Sequence, residues 1–160
     1  MFSLYRLLSF AVLSLVLLAA ASARQPRGTE ESAAAGEAMS ITITIDNGKS
    51  AVTLSATLAD NKSAAAFAEL LKKGTVTVSM HGYGGFEQVG TLPQSLPRGD
   101  TQITTVPGDI MLYQGNQVVM FYGTNAWAYT RLGKITGKTQ DELKAILGSG
   151  DVTAVFALED

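Results

Sequence analysis

Ile41, Ile43 and Ile45 alternate with Thr42 and Thr44 in the stretch SITITID. The same two-residue rhythm returns at 75–80 (TVTVSM), 109–113 (DIMLY), 117–123 (QVVMFYG) and 151–158 (DVTAVFAL). Successive side chains of a strand point to opposite faces, so period-2 alternation in β-branched residues predicts strands with one buried face. After the first of them, Asn47-Gly48 supplies the positive φ angles of a tight hairpin, and Val52, Leu54, Ala56 and Leu58 continue on the return strand. Pro107-Gly108-Asp109 and Gln114-Gly115-Asn116 are turn chemistry between later strands.

Two segments break the rhythm with helical signals. In DNKSAAAFAELLKKG, Asp60, Asn61 or Ser63 can cap a helix whose apolar face carries Phe67, Leu70 and Leu71, with Gly74 at its end. Thr139-Gln140-Asp141-Glu142 is a capping box that opens a second helix with Leu143, Ile146 and Leu147 on its inner face and Gly148 as its stop. Seven or eight short strands and two short helices, without a βαβ rhythm, predict a mainly β domain: a closed or nearly closed antiparallel barrel, or a sandwich.

The N-terminus is of another kind. Arg6 precedes an apolar run from about Phe10 to Ala21, and Ala21-Ser22-Ala23 offers an A-x-A processing site, the pattern of a secretory signal peptide cut before Arg24. A retained membrane anchor is the other reading, although the run is short for a spanning helix. Residues 24–38 lack large apolar side chains and read as a flexible linker, leaving 39–160 as one folded domain. The expected location is therefore outside the cytoplasmic membrane, periplasmic or secreted, with no membrane contact after cleavage.

Composition removes several classes of chemistry. The formal net charge of −2 becomes −3 once Arg6 is lost, from 11 positive and 14 negative side chains, and no basic run offers a footprint for nucleic acid. With no cysteine and a single histidine, neither a disulfide framework nor a transition-metal site is expected. There is no G-x-S-x-G elbow, complete G-x-G-x-x-G or P-loop, and the glycines at 82, 84 and 85 are not followed by a helix whose N-terminus would hold phosphate. No cofactor is expected.

Candidate chemistry collects in two irregular stretches. HGYGGFEQVG begins at His81 and holds Tyr83, Phe86 and Glu87 among glycines. The glycines permit a sharp bend, and the rings either plug an open end of the fold or form the lip of a pocket in which Glu87 and His81 offer polar groups. FYGTNAWAYTRLGKI (121–135) carries Tyr122, the sole tryptophan Trp127, Tyr129 and Arg131. Arg131 either stacks on an aromatic ring and pairs with Glu87 or Asp100, or fixes an anionic or carbonyl group of a ligand walled by Trp127 and Tyr129. Between the two stretches, LPQSLPRGDTQITT (92–105) shows no period and reads as a long loop or flap.

With PGDIMLYQGNQ between them, these stretches resemble the cyclophilin-like family of small bacterial proteins, whose hallmarks read here as YGGFEQVG, then PGDI-x-LYQGNQ, then FYG-x-N-x-W-x-YTRLGKI. The resemblance spans the domain from about Met39 onward. It implies a closed, mostly antiparallel eight-stranded β-barrel with two short helices. True cyclophilins isomerise X-Pro bonds with an arginine in an F-H-R-I-like stretch; the comparable GYGGFEQVG contains none. Leu132-Gly133-Lys134-Ile135 resembles their F-G-K-V segment, which implies Tyr129 near their pocket histidine. The expectation is an exported binding domain that holds a small molecule or short peptide in an aromatic cleft of Tyr83, Phe86, Tyr122, Trp127 and Tyr129, with Glu87 and Arg131 as anchors. A prolyl isomerase is the alternative, and a hydrolase or lyase built on His81 with Glu87 is a third. Oligomeric state is left open.

Overall fold

The computed structural model describes residues 38–159; the signal peptide and nearly all of the linker expected from the sequence lie outside the described residues. β1 (Ser40–Asp46) and β2 (Ala51–Leu58) form the first hairpin, with Ile41, Ile43 and Ile45 opposite Ala56, Leu54 and Val52. Its connection is longer than the tight turn expected: only Gly48 takes a positive φ, and the Asp46 and Asn47 carboxyl and amide oxygens accept from the backbone amides of Gly48, Lys49 and Ser50 at 2.8–3.0 Å. Side-chain acceptors here do the work that two left-handed residues would do in a two-residue loop.

Helix α1 (Lys62–Leu71) follows. Of the three candidate caps it is Asn61 that accepts from Ala64 N at 2.8 Å, and its amide also donates to Arg131 O at 2.8 Å, so the helix start is tied to a distant strand. Its buried stripe is Ala64, Phe67, Ala68 and Leu71, the i, i+3, i+4, i+7 set; Leu70 lies at the edge and is half-buried.

The remaining strands are β3 (Val76–Tyr83), β4 (Glu87–Thr91), β5 (Thr101–Thr104), β6 (Asp109–Tyr113), β7 (Gln117–Phe121), β8 (Ala126–Ile135) and β9 (Val152–Leu158), with helix α2 (Gln140–Leu147) before the last. Every pairing is antiparallel, in the order β2-β1-β9-β3-β4-β7-β6-β8, and β8 pairs back onto β2, so eight strands close a barrel. β5 is a ninth strand attached to the first half of β8 alone. The loop expected over 92–105 therefore contains a strand, one without a sequence signal because Thr-Gln-Ile-Thr is too short and too polar to show alternation. The segment before it is not free either: Ser63 Oγ donates to Pro97 O at 2.6 Å, and Gly99 N donates to Thr130 Oγ1 at 2.9 Å.

One continuous core fills the barrel, drawing Ile41, Ile43, Leu54, Val78, Ile110, Leu112, Met120, Leu132 and Phe156 from the strands and Phe67, Leu143 and Leu147 from the helices. The capping box of α2 forms as expected, with Glu142 N donating to Thr139 Oγ1 at 3.3 Å and Thr139 N donating to the Glu142 carboxylate at 2.8 Å. Gln88 points inward from β4 and donates to Leu147 O at 2.6 Å and Gly150 O at 2.7 Å, tying the end of α2 to the barrel.

β6 and β7 depart from the one-sided burial that alternation predicts: Ile110 through Leu112 and Val118 through Phe121 are buried without interruption. Their inward residues join the barrel core. Their outward residues Met111, Val119 and Phe121 join Tyr129, Phe86, Val89, Ile103 and Tyr113 in a second apolar cluster on the barrel's outer face. A strand covered on both faces reads as a continuous apolar run.

Candidate functional site

The second cluster forms the floor of a cleft of about 730 Å³. β3 and β4 build one wall through an inter-strand turn in which Gly84 and Gly85 both take positive φ (61° and 73°), closed by Phe86 N donating to Tyr83 O at 3.3 Å. Two consecutive left-handed residues are the signature of a primed hairpin turn, which explains the two adjacent glycines. The turn sets Tyr83 against Phe86, ring centroids 6.2 Å apart and nearly perpendicular. On the opposite wall, β5 pairs with Trp127 and Tyr129 of β8.

Tyr129 is the hub of the floor. Its ring packs edge-on against Phe121 at 5.5 Å and Tyr113 at 5.9 Å, and its hydroxyl accepts from the Asn125 amide at 2.9 Å. At the lip, Tyr83 is 63% and Trp127 56% exposed, an unusual amount of aromatic surface to leave in water on both sides of one opening.

Glu87 begins β4 and lines this cleft, yet it is only 5% exposed, and its Oε2 has no hydrogen-bond partner among the described residues. Removing a carboxylate from water penalises its charged form. Burial pushes the Glu87 carboxyl from its ordinary 4.5 up to about 7, with the Tyr129 hydroxyl pulling the other way. Burial, then the neighbouring Glu87 charge, raises the Tyr129 phenol, so at neutral pH it remains a hydroxyl able to donate. The cleft thus holds a carboxyl that exchanges its proton near neutrality beside a hydroxyl that does not.

Six of the residues read from the sequence meet here: His81, Tyr83, Phe86, Glu87, Trp127 and Tyr129 all line the cleft. Tyr122 and Arg131 do not. Tyr122 turns into the barrel core, where it is buried. Arg131 is occupied by Asp109 at 2.9 Å, and not by either carboxylate suggested from the sequence; Asp109 is itself buried and also meets Lys134 at 3.3 Å. Asp109 further accepts from Val106 N at 3.0 Å, so the three side chains latch the turn before β6 to β8. Tyr113, Gln117 and Asn125 line the cleft without having been singled out. The signal lay in PGDIMLYQGNQ and FYG-x-N, whose polar and aromatic ends flank buried strands.

The sequence model of the cyclophilin-like family matches residues 43–157, which is most of the chain and runs from the middle of β1 to the penultimate residue of β9. The chain belongs to the cyclophilin-like family. No curated protein matches it. The cyclophilin-like barrel carries its candidate site on the outer face, over β4, β7, β6 and β8, because its interior is filled. Among the described residues, neither arginine nor lysine lines the cleft.

Titration of Glu87 gives this cyclophilin-like domain a testable pH dependence. The folded state binds the Glu87 proton more tightly than the unfolded chain, so the associated stability is fully present below about pH 4.5 and is lost as pH rises through about 7. Glu87→Gln removes the titration without changing side-chain size. Denaturant melts at pH 8 should find the variant more stable than the parent by about 1–2 kcal/mol, a figure reduced for the solvent that reaches the open side of the cleft, and at pH 4 the two should agree. An unchanged difference between the two pH values would show that Glu87 is not the titrating group.

Proposed function

We propose that this domain is a binding module that holds a small molecule or a short peptide in the outer-face cleft, with Glu87 as its polar anchor and Tyr83, Phe86, Trp127 and Tyr129 as its walls. The observation that carries the reading is the Glu87 carboxyl, buried beneath two exposed aromatic side chains with one oxygen unpartnered. A buried polar atom without a partner costs free energy, and a ligand that supplies the partner recovers it. Arg131 is left out of the site because its charge is spent on Asp109.

Trp127 is the sole tryptophan, so its fluorescence reports from the lip of the cleft alone. Titration of the purified protein with proline-containing peptides and a panel of small metabolites is expected to give a saturable change with at least one of them. A flat response to every compound would remove the reading. The same peptides test the alternative of prolyl isomerisation: a cleft without arginine is expected to leave the cis/trans rate, tens of seconds when uncatalysed, unchanged at micromolar protein. The reading also takes the domain to act outside the cytoplasmic membrane, from the leader-like residues 1–23. N-terminal sequencing of the exported fraction should begin at Arg24; a protein retained in the cytoplasm with an intact start would refute it.

A further inference from the structure

The chemistry of the cleft lining is one-sided. Among the described residues it holds one carboxylate, Glu87, the five rings of Tyr83, Phe86, Tyr113, Trp127 and Tyr129, His81 at the rim, and no lysine or arginine. An aromatic ring presents a negative face, and rings grouped around an opening attract cations, most of all those too weakly hydrated to prefer water. A carboxylate beneath such rings with an unpartnered oxygen supplies the matching charge. An anionic ligand would meet the opposite conditions: the like charge of Glu87 in a poorly solvated site, with exposed His81 at the rim as the one basic side chain among the described lining residues.

Resting on the binding-module reading, we propose that the cleft takes an alkylammonium cation, its positive group enclosed by Tyr83, Phe86, Trp127 and Tyr129 and neutralised by Glu87. The rings differ in exposure in the way this requires. Tyr129 is fixed in the floor by Phe121, Tyr113 and Asn125, whereas Trp127 and Tyr83 stand exposed at the lip, where a guest would cover them. A volume of about 730 Å³ exceeds a tetramethylammonium ion, so the ligand carries further atoms, and the Gln117 side chain in the same lining offers them a polar partner.

A cation beside Glu87 favours its ionised form, so binding releases a proton near pH 7 and is tighter at pH 8 than at pH 5.5. The titratable groups that share the cleft with Glu87 are Tyr129 on β8, Tyr113 on β6, and His81 and Tyr83 on β3; Tyr122 lies behind it in the core. Burial raises the Tyr129 and Tyr122 phenols, which stay uncharged across this range, and His81 stands exposed on the rim.

The test uses choline, tetramethylammonium and 3,3-dimethylbutan-1-ol, the last being the neutral counterpart of choline, against sodium chloride at equal ionic strength. Trp127 fluorescence should show choline saturating at a concentration about tenfold or more below that of the neutral alcohol, and Glu87→Gln should abolish the preference. Calorimetry in two buffers of different ionisation heat at pH 7 should detect proton release with choline. It also provides a readout for Trp127→Phe that does not depend on fluorescence. A short peptide bearing trimethyl-lysine, run beside free choline, shows which source of the same group binds more tightly; binding by either supports the proposal. Equal binding of the neutral alcohol, or a preference that survives in Glu87→Gln, overturns the cation while leaving the cleft as a binding site. No response to any cation also overturns it, and the proline peptides and neutral metabolites then decide the cleft separately.

Discussion

Phe156→Ala is expected to lower the unfolding free energy by about 3–5 kcal/mol, read from denaturant melts. Phe156 has no exposed surface, stands in β9 between Ile43 of β1 and Val76 of β3, and meets the Phe67 ring of α1 edge-on at 5.5 Å. Truncation removes the contacts by which α1 is seated and leaves a cavity between strands whose pairing prevents collapse. A loss of that size is a large part of the roughly 5–15 kcal/mol available to a domain of this kind. Val155, next in the strand and half-buried on the other face, provides the control. Val155→Ala should cost far less, and comparable losses at the two positions would refute the assignment of Phe156 to the centre of the core.

Gly133→Ala is expected to weaken the barrel where it closes, by on the order of 3 kcal/mol. A Cβ at this position would lie 2.5 Å from Thr57 O, an atom of the β2 backbone. Gly133 is paired with Leu58 on one side and Ile110 on the other, so β8 cannot yield in either direction without losing hydrogen bonds. The β2–β8 seam contains three residue pairs, from Ala56–Ile135 to Leu58–Gly133, and relief of the clash by opening it would expose two strand edges. Hydrogen exchange should show loss of protection concentrated at that seam. Gly99→Ala, at a position with open space around it, should fall within about 0.5 kcal/mol of the parent. If Gly133→Ala were equally mild, the closure would be looser than its geometry indicates.

The two expectations differ in how far the sequence foretells them. The inward placement of Phe156 follows from the alternation in DVTAVFAL, as that of Ile43 follows from SITITID. Nothing local marks Gly133, because its requirement comes from a strand some seventy-five residues earlier. Arg131 shows the same limit. Its neighbours suggested Glu87 or Asp100, but its partner is Asp109 across the β6–β8 pairing, where a register shift between Ile110 and Met111 resets the alignment of the two strands.

Sequence alone determined what depends on neighbours in the chain: the inward faces of the strands, the Thr139–Glu142 capping box, the paired glycines of the turn before Phe86, and the aromatic residues Tyr83, Phe86, Trp127 and Tyr129 with Glu87 as a candidate set. These are legible because the side-chain period of a strand, the orphan amides of a helix start and the left-handed angles of a tight turn are settled within a few residues. Tertiary structure decided the rest. It covered the outer faces of β6 and β7, added β5 as a ninth strand, sent Tyr122 into the core and Arg131 to Asp109, and buried Glu87 deeply enough to bring its titration to about 7. Each of these depends on which distant strand lies alongside and on how much water that neighbour displaces, and a linear pattern of residue types does not encode either quantity.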